Sequence, residues 1–281
     1  MADLQPISSI TSGFVELNQC QFYYQIAGHG HPLTLLHAGI CDSRMWDDQW
    51  SMFAQQYEVI RFDMRGFGQS AAPSLPFAPH DDLRALLQFL GIRKTYLLGA
   101  SLGSQVALDF TLAHPDMVAG LILVGPALTD RRPSDALIQQ WSEIGAALER
   151  GDVAAANEIE LRMWVDGPHR SPAELAPAVR ERVRDMNAIK FDKHTPKAQA
   201  RPLEPPAAQR LGDIGVPTLV VVGALDHPEL LDSAERLSVG IPGGQHLVMT
   251  GTAHLPSMEH PAAFNEAVQT FLHHVDHRAC S

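Results

Sequence analysis

Short, continuous apolar runs punctuate the chain at residues 33–36, 59–62, 96–98, 121–124 and 219–222. Runs of this length bounded by turn residues predict strands buried on both faces. Most are followed by a turn and a stretch of helical period. After the third run, Leu102, Val106, Phe110 and Ala113 recur at helical spacing until Pro115 stops the helix. Strands alternating with helices imply a mostly parallel sheet covered by helices on both faces, the α/β class. Ahead of these, residues 13–27 alternate apolar and polar positions more loosely, as an antiparallel edge hairpin does.

Between Asp130 and Pro206 the strand runs cease. Three amphipathic helices are predicted there, from Leu137/Ile138/Trp141/Ile144/Leu148, from Ile159/Met163/Trp164 and from Leu175/Val179/Val183/Met186. The third has its own start signal in Ser171-Pro172-Ala173-Glu174: an N-cap serine, proline at the first helical position and a glutamate placed to complete a capping box. Strand and helix alternation resumes near Val216. The pattern therefore predicts a helical cap over 130–206 inserted into a single core made of 1–129 and 207–281.

Composition narrows the function classes. With 281 residues and 45% hydrophobic content the chain can bury a substantial core. A formal charge of −11 repels phosphate backbones and anionic lipid headgroups, which argues against nucleic acid or a membrane as partner. Cys20, Cys41 and Cys280 cannot all pair within one chain and show no metal-ligand spacing, so reduced thiols in a cytoplasmic protein and no metal site are expected. The first residues lack a basic start with an apolar core, and no run reaches the ~18 apolar residues of a membrane span.

The candidate chemistry starts at Gly99-Ala100-Ser101-Leu102-Gly103, where the third strand meets its helix. The five-residue pattern alone is weak; its position is what gives it meaning. A strand reversing sharply into a helix strains one residue and needs small residues two before and two after it. That geometry lifts the Ser101 hydroxyl to the helix N-terminus, where backbone N–H groups stabilise an anion. The plain alternative is a tight turn with Ser101 as an N-cap.

A serine hydroxyl needs a base. Of the 14 histidines, His254 in Gly251-Thr252-Ala253-His254 follows the apolar run 247–249 and so falls at the carboxyl end of a last strand. His273, His274 and His277 fall on a C-terminal helix end, and His29 and His31 flank an early turn. The orienting carboxylate should also end a strand. Asp226 does so after Val220-Val221-Val222-Gly223, with Asp130 as the alternative and an N-cap as the other reading of Asp226. The order Ser101, Asp226, His254 is the nucleophile, acid, base order of one hydrolase architecture. The oxyanion donors expected are the backbone N–H of Leu102 and that of Gly39 in His37-Ala38-Gly39-Ile40, with Ile40 the neighbouring choice. Ile40, Trp164 and Leu255 are the candidate substrate-binding residues. Trp141, Met163 and Trp164 either roof an apolar pocket or simply pack the cap against the core.

At this point the sequence resembles the α/β-hydrolase superfamily. The resemblance rests on Leu36-His37-Ala38-Gly39 with Trp46 downstream, on Asp63-Met64-Arg65-Gly66-Phe67-Gly68-Gln69-Ser70, on the elbow around Ser101, on Gly223 to Asp226 and on Gly251 to His254. It departs from the family at Ala38, where a glycine is usual. In that family the Asp63 to Ser70 loop is a structural turn. Within it, the chain is similar to short-cap serine hydrolases such as 3-oxoadipate enol-lactonases, non-haem haloperoxidases and small esterases. Ser101 argues against epoxide hydrolases and haloalkane dehalogenases, which carry aspartate at the elbow, and against dienelactone hydrolases, which carry cysteine. The resemblance implies two-step acyl transfer without a cofactor on an ester or lactone of a small, partly apolar molecule. Carbon–carbon hydrolysis, acyl transfer or perhydrolysis with the same triad, and a small-molecule receptor on a hydrolase fold, are the other readings it leaves open.

Overall fold

The structure, a computed structural model, describes residues 10–193 and 199–279; Cys280 lies outside them. Eight strands form one sheet: β1 (Ile10–Leu17), β2 (Cys20–Gly28), β3 (His31–Leu36), β4 (Tyr57–Phe62), β5 (Thr95–Ala100), β6 (Val118–Val124), β7 (Thr218–Gly223) and β8 (Gln245–Met249). Their spatial order is β1-β2-β4-β3-β5-β6-β7-β8. β1 and β2 form an antiparallel hairpin that joins β4 antiparallel, and every pairing from β4 to β8 is parallel. The predicted strands and edge hairpin are therefore present, with the expected mostly parallel sheet.

The apolar runs are continuous because each central strand feeds two cores. From β7, Leu219 and Val221 face one cluster while Val220 and Val222 face the other. The first cluster is closed by α1 (Asp47–Phe53) and α9 (Pro261–Ala279) through Trp50, Phe53, Phe264 and Phe271. The second is closed by α2 (Pro79–Phe89), α3 (Leu102–Ala113) and α7 (Pro228–Gly240) through Leu86, Phe110 and Leu237. A short α8 (Pro256–Glu259) precedes α9.

Between β6 and β7 the chain is helical: α4 (Asp135–Glu149), α5 (Val153–Glu160), a π turn over Leu161–Asp166 and α6 (Pro177–Asp192). Ser171 and Glu174 do form the expected capping box, but on a separate single turn, Pro172–Glu174. α6 starts at Pro177 instead, and Leu175 stands outside it, extended at φ −113° and ψ 149°. The second proline explains the shift, because it bars Ala176 from helical geometry and forces a new start after it. This insertion has a small core of its own, Leu137, Ile144, Ala147, Ala156 and Met163. Through Leu161, Val165, Val179, Val183 and Met186 it also joins the first sheet cluster.

Candidate active site

β5 turns into α3 through Ser101, which has φ 51° and ψ −111°. A non-glycine residue there carries strain of about 1–3 kcal/mol, held in place by its surroundings. A side chain on Gly99 would overlap the Gly103 carbonyl, and one on Gly103 would overlap the Leu36 carbonyl, so the turn closes only with glycine at both positions. The Ser101 N–H donates to the Val124 carbonyl at 2.7 Å. Ser104 staples the elbow by donating to Gly99 O at 2.7 Å and accepting from Val124 N–H at 3.0 Å. The Ser101 hydroxyl makes no capping hydrogen bond to α3 and is only partly buried.

His254 and Asp226 meet across the ends of β7 and β8. The His254 Nδ1 and Asp226 Oδ2 atoms are 2.8 Å apart, with the two residues 3% and 0% exposed. An ionised carboxylate only accepts, so Nδ1 carries the proton and Nε2 keeps a lone pair. The other carboxylate oxygen accepts the His227 N–H at 2.8 Å, and it is His227 that occupies the N-cap position of α7. The imidazole lies against the end of β6: a Cβ on Gly125 would come 3.0 Å from His254 Nδ1. Gly125 immediately follows Val124, the residue that holds the Ser101 N–H. Elbow and imidazole thus share one strand end.

The loop carrying His254 is clamped by residues the sequence reading did not single out. Glu259 accepts the N–H of Ala253 at 3.0 Å and that of Leu255 at 3.1 Å, bracketing His254. Arg170, from the insertion, pairs with Glu259 at 2.7 Å and also donates to the Val165 and Asp166 carbonyls. His227 Nε2 lies 2.8 Å from the Met163 carbonyl. A Cβ on Gly167 would come within 2.8 Å of Leu225 O and 3.0 Å of the Ala253 side chain. The insertion is thereby seated on both loops, those that bear Asp226 and His254. The one sequence signal for the clamp was Pro256 opening a helix whose fourth residue is Glu259.

On the other side, Gly39 and Leu102 are neighbours; a Cβ on Gly39 would lie 3.5 Å from Leu102 Cβ. The first N–H groups of a helix have no partner within it, so the Leu102 N–H is available at the start of α3. His37 fixes the adjoining turn. Its Nε2 accepts the Met64 N–H at 2.9 Å, so its Nδ1 is the donor, to the Ala38 carbonyl at 2.9 Å. Burial holds this imidazole below the ordinary histidine range, opposed by the Asp63 charge. Asp63 accepts from Ser43 N–H at 2.8 Å and Gln69 N–H at 2.7 Å, the structural-turn role expected of its loop.

Trp164 tilts over His254 at 4.9 Å and contacts His227 at 5.1 Å between ring centroids. It also borders a cavity of about 520 Å³ whose walls include Gln105, Leu137, Trp141 and Leu230. Met163 packs inside the insertion, so of the three residues considered as a roof it has the packing role. Ile40 and Leu255 are 6% and 0% exposed and belong to the first core cluster. Burial pushes the Cys41 thiol up, which keeps it an inert neutral group. Asp130 lies away from this arrangement, paired with Arg236 at 2.6 Å. His29, His273, His274 and His277 are exposed, and His31 tilts over Tyr96. Among the described residues no group of three or more His, Cys, Asp or Glu is placed to hold a metal.

A family profile described as the alpha/beta hydrolase fold matches residues 31–261. The chain is 26% identical to a 2-hydroxy-6-oxononadienedioate/2-hydroxy-6-oxononatrienedioate hydrolase of Pseudomonas putida, over 90% of this chain and 92% of that protein. It is also 26% identical to carboxylesterase YbfK of Bacillus subtilis, over 85% and 79% of the two chains. Among solved structures it is similar to a thermophilic esterase from Thermogutta terrifontis, with TM-score 0.80 and 27% identity over 94% of this chain and 99% of that one. It is similar as well to Est816, described as an N-acyl homoserine lactone degrading enzyme, with TM-score 0.75 and 27% identity over 92% and 100%. The chain belongs to the α/β-hydrolase family and is a hydrolytic enzyme.

Proposed function

We propose that the protein is a serine hydrolase that cleaves an ester or lactone of a small, partly apolar substrate, with Ser101 as nucleophile, His254 as general base and Asp226 as its orienting acid. The observation that carries this reading is the buried 2.8 Å contact of His254 Nδ1 with Asp226, which leaves the Nε2 lone pair free, with the imidazole and the strained serine elbow both against the end of β6. His254 Nε2 takes the Ser101 proton as Oγ attacks the carbonyl carbon, and the Leu102 and Gly39 N–H groups take the developing oxyanion. Collapse expels the alcohol oxygen, which leaves with the proton held by His254. Water, deprotonated by the same nitrogen, then attacks the acyl-serine, and the acid departs as Ser101 recovers its proton.

Trp164 and the cavity beside it form the acyl or alcohol pocket, and residues 130–206 act as the cap above it. Relatives named as carboxylesterase, esterase and lactone-degrading enzyme support carboxylic acyl chemistry. A relative named for a 2-hydroxy-6-oxo substrate supports a second reading, in which the same three residues break a carbon–carbon bond next to a ketone. Cys20 and Cys41 as buried free thiols support a cytoplasmic enzyme.

The test is steady turnover of p-nitrophenyl butanoate by the purified protein, with covalent labelling by a fluorophosphonate mapped to one peptide. Both should vanish in Ser101→Ala. Labelling that persists in that variant overturns the assignment, and labelling without turnover points to a receptor.

A further inference from the structure

The backbone on both sides of Trp164 is pinned. The residue sits in the π turn Leu161–Asp166, a wide turn of a kind that recurs at functional sites. Just before it, the Met163 carbonyl lies 2.8 Å from His227 Nε2. Just after it, the Val165 and Asp166 carbonyls accept from Arg170 Nη2 at 2.8 Å and Nε at 2.9 Å. The Asp166 carboxylate is held in turn by Arg180, at 2.8 and 3.0 Å. Met163, Val165 and Asp166 are buried, and Trp164 among them is half-buried.

The indole so held touches two imidazoles of opposite tautomer. A carbonyl only accepts, so His227 carries a proton on Nε2, whereas His254 carries its proton on Nδ1 toward Asp226. The His227 ring meets the indole edge-on, with centroids 5.1 Å apart and planes at 61°. The His254 ring lies against it at 4.9 Å with the planes at 38°. His227 also donates its backbone N–H to Asp226 Oδ1 at 2.8 Å. One residue thus braces both the carboxylate at His254 Nδ1 and the indole against the same imidazole.

We propose that Trp164, positioned by His227, stabilises the His254 imidazolium that forms as Ser101 attacks its substrate. This rests on the serine-hydrolase reading above. An indole attracts a cation lying within about 6 Å of its centroid, most strongly where water is excluded. His254 is 3% exposed, so the charge it gains is a desolvated one. The neutral ring of the resting enzyme gains less from the same contact, and only an interaction stronger in the transition state than before it raises the rate. An aliphatic side chain at position 164 would keep an apolar wall to the adjoining cavity and withhold the attraction.

The test assays the wild type, Trp164→Leu, Trp164→Phe, His227→Gln, His227→Phe and the double variant His227→Phe/Trp164→Leu on p-nitrophenyl butanoate. Trp164→Leu should lower kcat and kcat/KM together by about tenfold with KM within about twofold, because the lost attraction belongs to the transition state. Trp164→Phe, which keeps an aromatic face, should stay within about threefold of the wild type. His227→Gln keeps an N–H for the Met163 carbonyl and should do the same, whereas His227→Phe keeps a ring, loses the donor and should fall about as far as Trp164→Leu. Since His227 acts through the indole, the double variant should be no slower than Trp164→Leu. A raised KM with unchanged kcat in Trp164→Leu, a Trp164→Phe as slow as Trp164→Leu, or losses that multiply in the double variant overturns the proposal and leaves the triad in place. Should Trp164→Leu not fold, the two His227 variants decide, and equal kcat in them is the overturning result. A wild type that neither turns over the ester nor takes the phosphonate overturns the serine-hydrolase reading and this one with it.

Discussion

Arg170 Nη2 lies 2.7 Å from Glu259 Oε2, both side chains are buried, and the carboxylate so neutralised is the one that receives the N–H groups on either side of His254. Removing one partner of such a pair leaves an uncompensated buried charge, at a cost of about 3–5 kcal/mol. Arg170→Met should therefore lower the midpoint of urea unfolding strongly. Glu259→Gln, which keeps one accepting oxygen but leaves the Arg170 charge uncompensated, should also lower that midpoint and in addition lose turnover as the His254 loop loosens, with KM changing less than kcat. Equal kcat in wild type and Glu259→Gln would show that the loop needs no clamp.

Asp226→Asn should reduce kcat by about 10⁴-fold, because the amide favours the wrong imidazole tautomer while leaving the pocket in place. Asp130→Asn is the matched control. That residue pairs with Arg236 at the surface, the interaction holding its carboxyl below the usual range, and the substitution should leave kcat within about twofold and stability within about 1 kcal/mol. Steady-state kinetics on one ester separates the two acids; a larger loss in the Asp130 variant would exchange their roles.

Gly125 has φ 52° and stands where any side chain would press on the His254 ring. Gly125→Ala should shift the imidazole by a few tenths of an ångström or more and cost about tenfold or more in kcat, since small misplacements of a catalytic group are expensive. The rate of phosphonate labelling should fall in parallel. An unimpaired variant would mean that the base operates from another position.

His37 makes stability pH-dependent. Its native pKa is lowered, chiefly by burial, so the folded protein keeps the ring neutral while the unfolded chain takes up a proton below about 6.5. Where the unfolded state binds more protons, stability rises with pH. The His37 contribution is therefore present above about 6.5 and declines as pH falls from there toward the native value. His37→Gln should be less stable at pH 7.5 yet show a shallower loss between pH 7.5 and 5, read as the difference in urea midpoints. Parallel curves for the two proteins would refute the linkage.

Much of the core was legible because burial on both faces makes a strand continuously apolar: residues 219–222 announce β7 since alternate side chains enter two different clusters. Gly99 and Gly103 were equally readable, their absence of a side chain being demanded by backbone contact. The start of α6 was displaced because two prolines, Pro172 and Pro177, each carry a valid helix signal and only the fold chooses between them. α1, seven residues long, is too short to show a period. Glu259 and Arg170 stayed hidden for a different reason. Their partners are backbone N–H and carbonyl groups, which every residue type supplies, so no letter marks the other half of the contact.

The seating of Gly167 against Leu225 and Ala253 has a bearing on how this enzyme diversifies. A graft that exchanges the stretch between β6 and β7 for that of a relative also replaces a support of the loops bearing Asp226 and His254, so substrate preference and turnover should change together. Chimeras that import a new pocket should regain speed only when residues 166–170 of the recipient are kept.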